Sequence, residues 1–122
     1  MTRTLWTAAA AALLLAGTAL AATPGEKCES DKNKEAGKYA KCRQKAEAKF
    51  ALTGDAAERT AALQTCSDKY GVNWPANEDR AVGACPSTGD QTAIQQYLDT
   101  ASSDLAAALA GGPLAGQAQP LK

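Results

Sequence analysis

The stretch CRQKAEAKFALTGDAAERTAALQTC runs from Cys42 to Cys66 and has a glycine at its midpoint. Cys42 lies twelve residues before Gly54, and Cys66 lies twelve residues after it. Both flanks are built from Ala, Lys, Glu, Gln and Arg, which favour helix. Thr53-Gly54-Asp55 reads as a stop and a restart: Gly54 suits a left-handed helix end and Asp55 suits an N-cap. At about 1.5 Å of rise per residue, each cysteine sits roughly 18 Å from the turn. Antiparallel arms would bring them to the same level. The stretch therefore predicts a stapled helical hairpin.

Upstream, the segment from about Glu26 to Leu52 contains no proline, and Gly37 is its one weak point. Cys28, Tyr39, Cys42, Ala46 and Phe50 fall close to one helical stripe. Downstream, a second helix is predicted from about Ala56 to Tyr70, with Ala62, Leu63, Cys66 and Tyr70 on its apolar stripe. Gly71-Val72-Asn73-Trp74-Pro75 reads as an interruption, after which Asn73 caps a short helix through about Val82. Gly83 closes that piece, and Cys85-Pro86 opens a connector. Thr88-Gly89-Asp90-Gln91 has the form of a capping box. The last helix follows from about Asp90 to Ala110, with Ile94, Leu98, Ala101, Leu105, Ala108 and Leu109 on its apolar face. Gly111-Gly112-Pro113 ends it. No stretch shows strand-like alternation. The expected fold is all-α: a disulfide-stapled antiparallel hairpin, a short helix and a C-terminal amphipathic helix.

Four cysteines allow three pairings. A bond between Cys28 and Cys42 would have to cross about 21 Å of one helix, whereas a disulfide needs Cα atoms about 5.5 Å apart. Pairing Cys28 with Cys66 fails by a similar mismatch of level. The nested set remains, Cys42–Cys66 inside Cys28–Cys85. Cys85 lies somewhat beyond the level of Cys28, and the interruption around Trp74 is expected to absorb the difference. Aromatics make up only 5% of the chain, so the apolar count rests largely on Ala, which buries little area. The disulfides, at roughly 3–4 kcal/mol each, stand in for missing core.

The N-terminus has the layout of a secretory signal peptide. Arg3 supplies the positive start, an apolar run extends from Leu5 to about Gly17, and Ala19-Leu20-Ala21 is a cleavage pattern. Cleavage is expected after Ala21. The expected organisation is a signal peptide over 1–21, a helical domain over 22–110 and a flexible tail over 111–122. A lipoprotein would need a cysteine at the cleavage point, and Cys28 is seven residues past Ala21. Secretion into the periplasm or the medium follows, where disulfides persist. No later segment is apolar enough to cross a membrane.

The formal net charge is zero, which makes no electrostatic case for nucleic acid or an anionic membrane. The charge is uneven, however. Residues 26–54 carry eight Lys/Arg against five Asp/Glu, and residues 55–122 carry four against eight. Lys34, Lys38, Lys41, Lys45 and Lys49 recur at helical spacing, a solvated face or a polyanion-binding one. Trp74, beside Pro75 and near Tyr70, reads as a plug of the hairpin core, with an exposed contact as the alternative. The candidate contact residues are thus Trp74, Tyr70, Lys38, Lys41 and Lys45.

The absence of histidine removes the commonest general base. Carboxylate pairs such as Glu78-Asp79 and Asp31 with Glu35 read as partners of neighbouring lysines. There is no C-x-x-C pair for zinc, haem or redox chemistry, and no Gly-rich phosphate loop. No enzyme activity, cofactor or metal is expected.

Ala36-Gly37-Lys38-Tyr39-Ala40-Lys41-Cys42-Arg43-Gln44-Lys45-Ala46-Glu47-Ala48-Lys49 is followed by Gly54-Asp55, Cys66, Tyr70, Trp74 and Cys85-Pro86. Together with the ending Ala108-Leu109-Ala110-Gly111-Gly112, this pattern resembles a family of uncharacterised secreted bacterial four-cysteine helical-hairpin proteins. The resemblance covers most of the chain after residue 21. It implies secretion, a disulfide hairpin and a continuous second arm, from which Gly71 to Pro75 departs. It implies no established activity.

The function expected is a non-catalytic structural or interaction module of the cell envelope or extracellular medium, with a protein or surface polymer as partner. The alternative is a small carrier of an apolar ligand, held in a groove lined by Leu98, Leu105, Phe50 and Tyr70. A carboxylate-only enzyme acting on glycans would need two carboxyls converging in a cleft.

Overall fold

The structure is a computed structural model and describes residues 20–114. The cleavage region up to residue 19 and the tail beyond residue 114 lie outside the described residues. The chain is all-α, with three helices: α1 (Pro24–Thr53), α2 (Ala56–Arg80) and α3 (Gln91–Leu109). No strand occurs among the described residues.

α1 starts two residues earlier than the sequence suggests. Thr23 and Glu26 form a reciprocal capping box: the Thr23 hydroxyl accepts from the Glu26 N–H at 3.2 Å, and the Thr23 N–H donates to the Glu26 carboxylate at 2.7 Å. Pro24 occupies the first turn, where its missing N–H costs nothing. Gly25 permits a close approach, since a Cβ there would stand 2.9 Å from the Ala84 carbonyl.

The hairpin turn is as predicted. Gly54 adopts φ 65°, its N–H donates to the Phe50 carbonyl at 2.8 Å, and Asp55 caps α2 by accepting from the Glu58 N–H at 2.9 Å. The arms run antiparallel. The contacts Arg59 to Glu47, Cys66 to Cys42, Asn73 to Glu35 and Asn77 to Asp31 nest one inside the next.

The interruption expected at Gly71–Pro75 does not occur; α2 runs through it unbroken. Pro75 removes one helical hydrogen bond, to the Gly71 carbonyl. Against that cost, Tyr70, Trp74 and Asn77 lie on one stripe at spacings of four and three, and all three are buried. Breaking the helix would turn part of that stripe away from α1. Asn73 is accordingly no cap: its amide donates to Glu35 at 3.2 Å. The separate short helix to Val82 is likewise absent, because α2 ends at Arg80.

Both disulfides pair as expected. Cys42 and Cys66 have Cα atoms 5.8 Å apart, and Cys28 and Cys85 have theirs 5.4 Å apart. The irregularity that lets Cys85 reach Cys28 lies after α2 and not within it. Val82 and Gly83 both take positive φ, 48° and 78°, and fold the chain back. Cys85 thereby returns to the level of Glu78, with its Sγ 3.9 Å from the Glu78 carbonyl oxygen, while the Cys28 Sγ lies 3.9 Å from the Asn77 carbonyl oxygen.

The core is a short aromatic stack. The Tyr39 and Tyr70 rings are 4.8 Å apart between centroids, and those of Tyr70 and Trp74 are 5.0 Å apart. Cys66 joins the stack, and Ala36, Cys42, Ile94 and Leu98 pack around it. α3 rests mainly against α1. Its apolar face is only partly used: Ile94 and Leu98 reach the core, but Leu105 is 41% exposed and Leu109 78% exposed.

Candidate functional site

Trp74 is 3% exposed and Tyr70 is fully buried, so neither is an outward contact. Trp74 is the plug. Tyr70 donates its hydroxyl to the Gln91 carbonyl at 2.8 Å, tying α2 to the start of α3. Its phenol is pushed above the usual tyrosine range, first by burial and then by the nearby Asp90 charge.

Two polar clamps hold α3. The first centres on Lys32, 6% exposed on α1. Its ammonium donates to both Asp90 oxygens at 2.8 and 2.9 Å, to Glu78 at 3.0 Å and to the Ser87 carbonyl at 2.8 Å. It also stands 4.9 Å from the Trp74 ring centre, a cation–π contact. Burial alone would push the Asp90 carboxyl up. The bonds from Lys32 and Ser87 more than reverse this and hold it at about 2. The Thr88 capping box is therefore not formed: Asp90 stands at the N-cap position without a side-chain cap bond. Its carboxylate is engaged by a buried cation, a stronger partner than a backbone amide.

The second clamp is at mid-helix. Arg43 donates through Nε to the Ser102 hydroxyl at 2.6 Å and pairs with Asp99 at 2.9 Å. The Tyr39 hydroxyl donates to the same Asp99 carboxylate and accepts from Gln95 at 3.3 Å. Burial, and then that bond to Asp99, raise the Tyr39 phenol above its ordinary value.

Of the carboxylates singled out in the sequence, Glu78 and Glu35 brace α1 against α2, Asp31 pairs within α1, and the Asp79 side chain makes no ion pair among the described residues. Glu78 pairs with Lys32, Asp31 with Lys34 at 3.8 Å, and Glu35 with Lys38 at 3.9 Å. No group of three His, Cys, Asp or Glu that could hold a metal occurs among the described residues.

Lys38, Lys41 and Lys45 are exposed. The disulfide-bonded pair Cys42–Cys66 floors a groove between α1 and α2. On one side of the bond is a hollow of about 230 Å³ edged by Lys38, Lys69, Glu35 and Asn73. On the other is one of about 400 Å³ edged by Lys45, Lys49, Ala46, Ala62 and Thr65. Lys69 was not singled out in the sequence, although its spacing of three from Cys66 puts it beside that cysteine on α2. Lys32 and Arg43 were missed as clamps because their partners lie some sixty residues away.

A second groove of about 400 Å³ lies between the C-terminal halves of α1 and α3, with Ala48, Phe50, Ala51, Ala106, Ala107 and Leu109 on its walls and Gln44, Ser103 and the Glu47–Arg59 ion pair as its polar edge. It differs from the apolar groove expected. Of the four residues named for that one, only Phe50 lines this groove; Tyr70 and Leu98 belong to the core around the aromatic stack.

Comparison with protein-family models, with curated proteins and with solved structures finds no match for this chain. Two disulfides fit an oxidising compartment. No helix among the described residues is long and apolar enough to cross a membrane.

Proposed function

We propose that the protein is a secreted, non-catalytic interaction module of the cell envelope or extracellular medium. In this reading it is released by cleavage after Ala21 and belongs to the four-cysteine hairpin family it resembles. The observation that supports this best is how the buried charge is used. Lys32, Arg43, Glu35 and Glu47 each spend their polar atoms bracing one helix against another. Such pairing fixes a shape. The side chains left facing solvent along the hairpin groove are chiefly lysines, which suit contact with a partner.

The test is capture from the organism's own secreted and envelope fractions, with oxidised protein as bait. A defined partner retained by the oxidised form and lost on reduction is the expected result. Turnover of a substrate by pure protein would overturn the reading.

The groove between α1 and α3 favours a second reading, a carrier of a small apolar ligand. Native mass spectrometry of freshly secreted protein decides between them. A bound ligand that is lost on Ala107→Glu supports the carrier, and an apo mass rejects it.

A further inference from the structure

We infer that the lysine-edged groove over the Cys42–Cys66 disulfide is a docking surface for a linear anionic polysaccharide. The inference rests on the interaction-module reading and names its partner's chemistry. Lys38, Lys45 and Lys49 edge the groove from α1, with their charges stepping along the helix by about 6–11 Å; Lys41, one residue before Cys42, lines neither hollow. Lys69 supplies a charge from the facing wall. Lys38 and Lys49 have carboxylate partners in Glu35 and Glu58, whereas Lys41, Lys45 and Lys69 make no ion pair among the described residues. The result is positive charge on both walls of the trough, with Lys45 and Lys69, each three residues from a cysteine of the bond, left without an ion pair among the described residues.

The chemistry of the trough selects among polyanions. A protein hot spot is anchored by exposed Trp, Tyr or Arg in a desolvated pocket, and lysine is depleted from such interfaces. Single-stranded nucleic acid needs aromatic faces on which bases stack. The one aromatic that lines this groove is Tyr39, and it is 2% exposed, with its hydroxyl committed to Asp99. On one side of the bond the floor is the disulfide, two alanines and a threonine; on the other it is Tyr39 and the buried Glu35 carboxylate, which accepts from Asn73 and pairs with Lys38. What remains is a rigid line of point charges with a narrow floor, suited to a chain that carries repeated carboxylates and no bases. The disulfide holds the two walls in register, so the spacing between Lys69 and the α1 lysines survives without a ligand.

The test uses oxidised protein and a polyuronate of defined length, followed by calorimetry from low to physiological salt. Binding is expected to weaken steadily as salt rises. The triple variant Lys38→Gln, Lys45→Gln, Lys69→Gln, with helix content and both disulfides intact, is expected to lose at least ten-fold in affinity. A control with the same net charge changes the exposed positions Lys27→Gln, Ala93→Glu and Thr100→Glu and should bind within two-fold of the parent. Equal losses in triple variant and control would overturn the groove assignment, as would no binding at low salt. Tighter binding of poly-glutamate or of a single-stranded oligonucleotide of equal charge would overturn the choice of polysaccharide. Protein capture without polyuronate binding overturns this inference and leaves the interaction-module reading standing. Shortening of the polyuronate during the titration supports the groove and overturns the non-catalytic reading.

Discussion

One disulfide and the aromatic stack tie α1 to α2, and the other disulfide ties α1 to the connector just after α2, whereas no cysteine lies in α3, which is held by Ile94 and Leu98 at the core and by the two polar clamps. A disulfide acts chiefly on the unfolded chain, whose freedom it removes. An ionic clamp acts on the folded chain and works only while its charges are present and in place. The same small molecule therefore has one region whose stability follows redox state and another whose stability follows charge. α3 is the region that can loosen while the hairpin stays formed.

The largest effect separates the two disulfides. Replacing Cys28 and Cys85 by Ser opens a link spanning 57 residues, and replacing Cys42 and Cys66 opens one spanning 24. Chain entropy puts the losses at about 4 and about 3.5 kcal/mol, read as urea midpoints at equal slope. A larger loss for the inner pair would show that native packing around Cys66, and not chain entropy, dominates the hairpin.

Next comes the clamp. Lys32→Met leaves Asp90 and Glu78 without their cation and is expected to cost about 3 kcal/mol. Amide hydrogen exchange should speed up over 91–109 far more than over 56–80. Equal acceleration in both segments would break the comparison, since α3 would then not be a separate unit.

The third prediction uses pH. The Asp90 carboxyl is held at about 2 in the folded protein, below its ordinary value near 3.9. A lowered carboxyl contributes stability that is complete above the unfolded value and lost as pH falls through the folded one. Stability should thus decline from about pH 4 towards pH 2. Solvent screening at the partly exposed carboxylate limits this contribution to on the order of 1–2 kcal/mol. Asp90→Asn should flatten that part of the profile in urea unfolding at pH 5 and pH 2.5. An unchanged slope would assign the acid sensitivity to other groups.

The smallest effect lies in the turn that joins the regions. Val82 is β-branched, sits at φ 48° and is 89% exposed. That backbone conformation is costly for valine and tolerable for asparagine. Val82→Asn should raise the thermal midpoint, by about 1 kcal/mol in stability, with both disulfides retained.

The hairpin was legible because its signals are local. Gly54 and Asp55 act on their own turn, and Cys42 and Cys66 are placed by counting helical rise from it. α2 was read as broken because Gly71 and Pro75 are local signals too, and here a tertiary one outweighs them: Tyr70, Trp74 and Asn77 are buried together against α1 only if the helix continues. The capping box at Thr88 lost in the same way, because a buried ammonium fifty-eight residues away claims Asp90. Of the candidate contacts, Lys38, Lys41 and Lys45 do face solvent. Tyr70 and Trp74 were ambiguous in sequence, since a large aromatic on a helix serves a core and a surface equally well.

Helix periodicity, the breaks at Gly54 and Gly83 and the choice among three disulfide pairings were set by the sequence alone, because each depends only on distances measured along the chain. The tertiary structure decided that α2 runs unbroken, that Cys85 returns by a turn after Arg80, and that Lys32 and Arg43 fasten α3. Each of those depends on which side chains from distant segments meet in a dry place. There, the energy of satisfying a buried charge or filling an aromatic core exceeds any preference that a single residue carries for its own backbone.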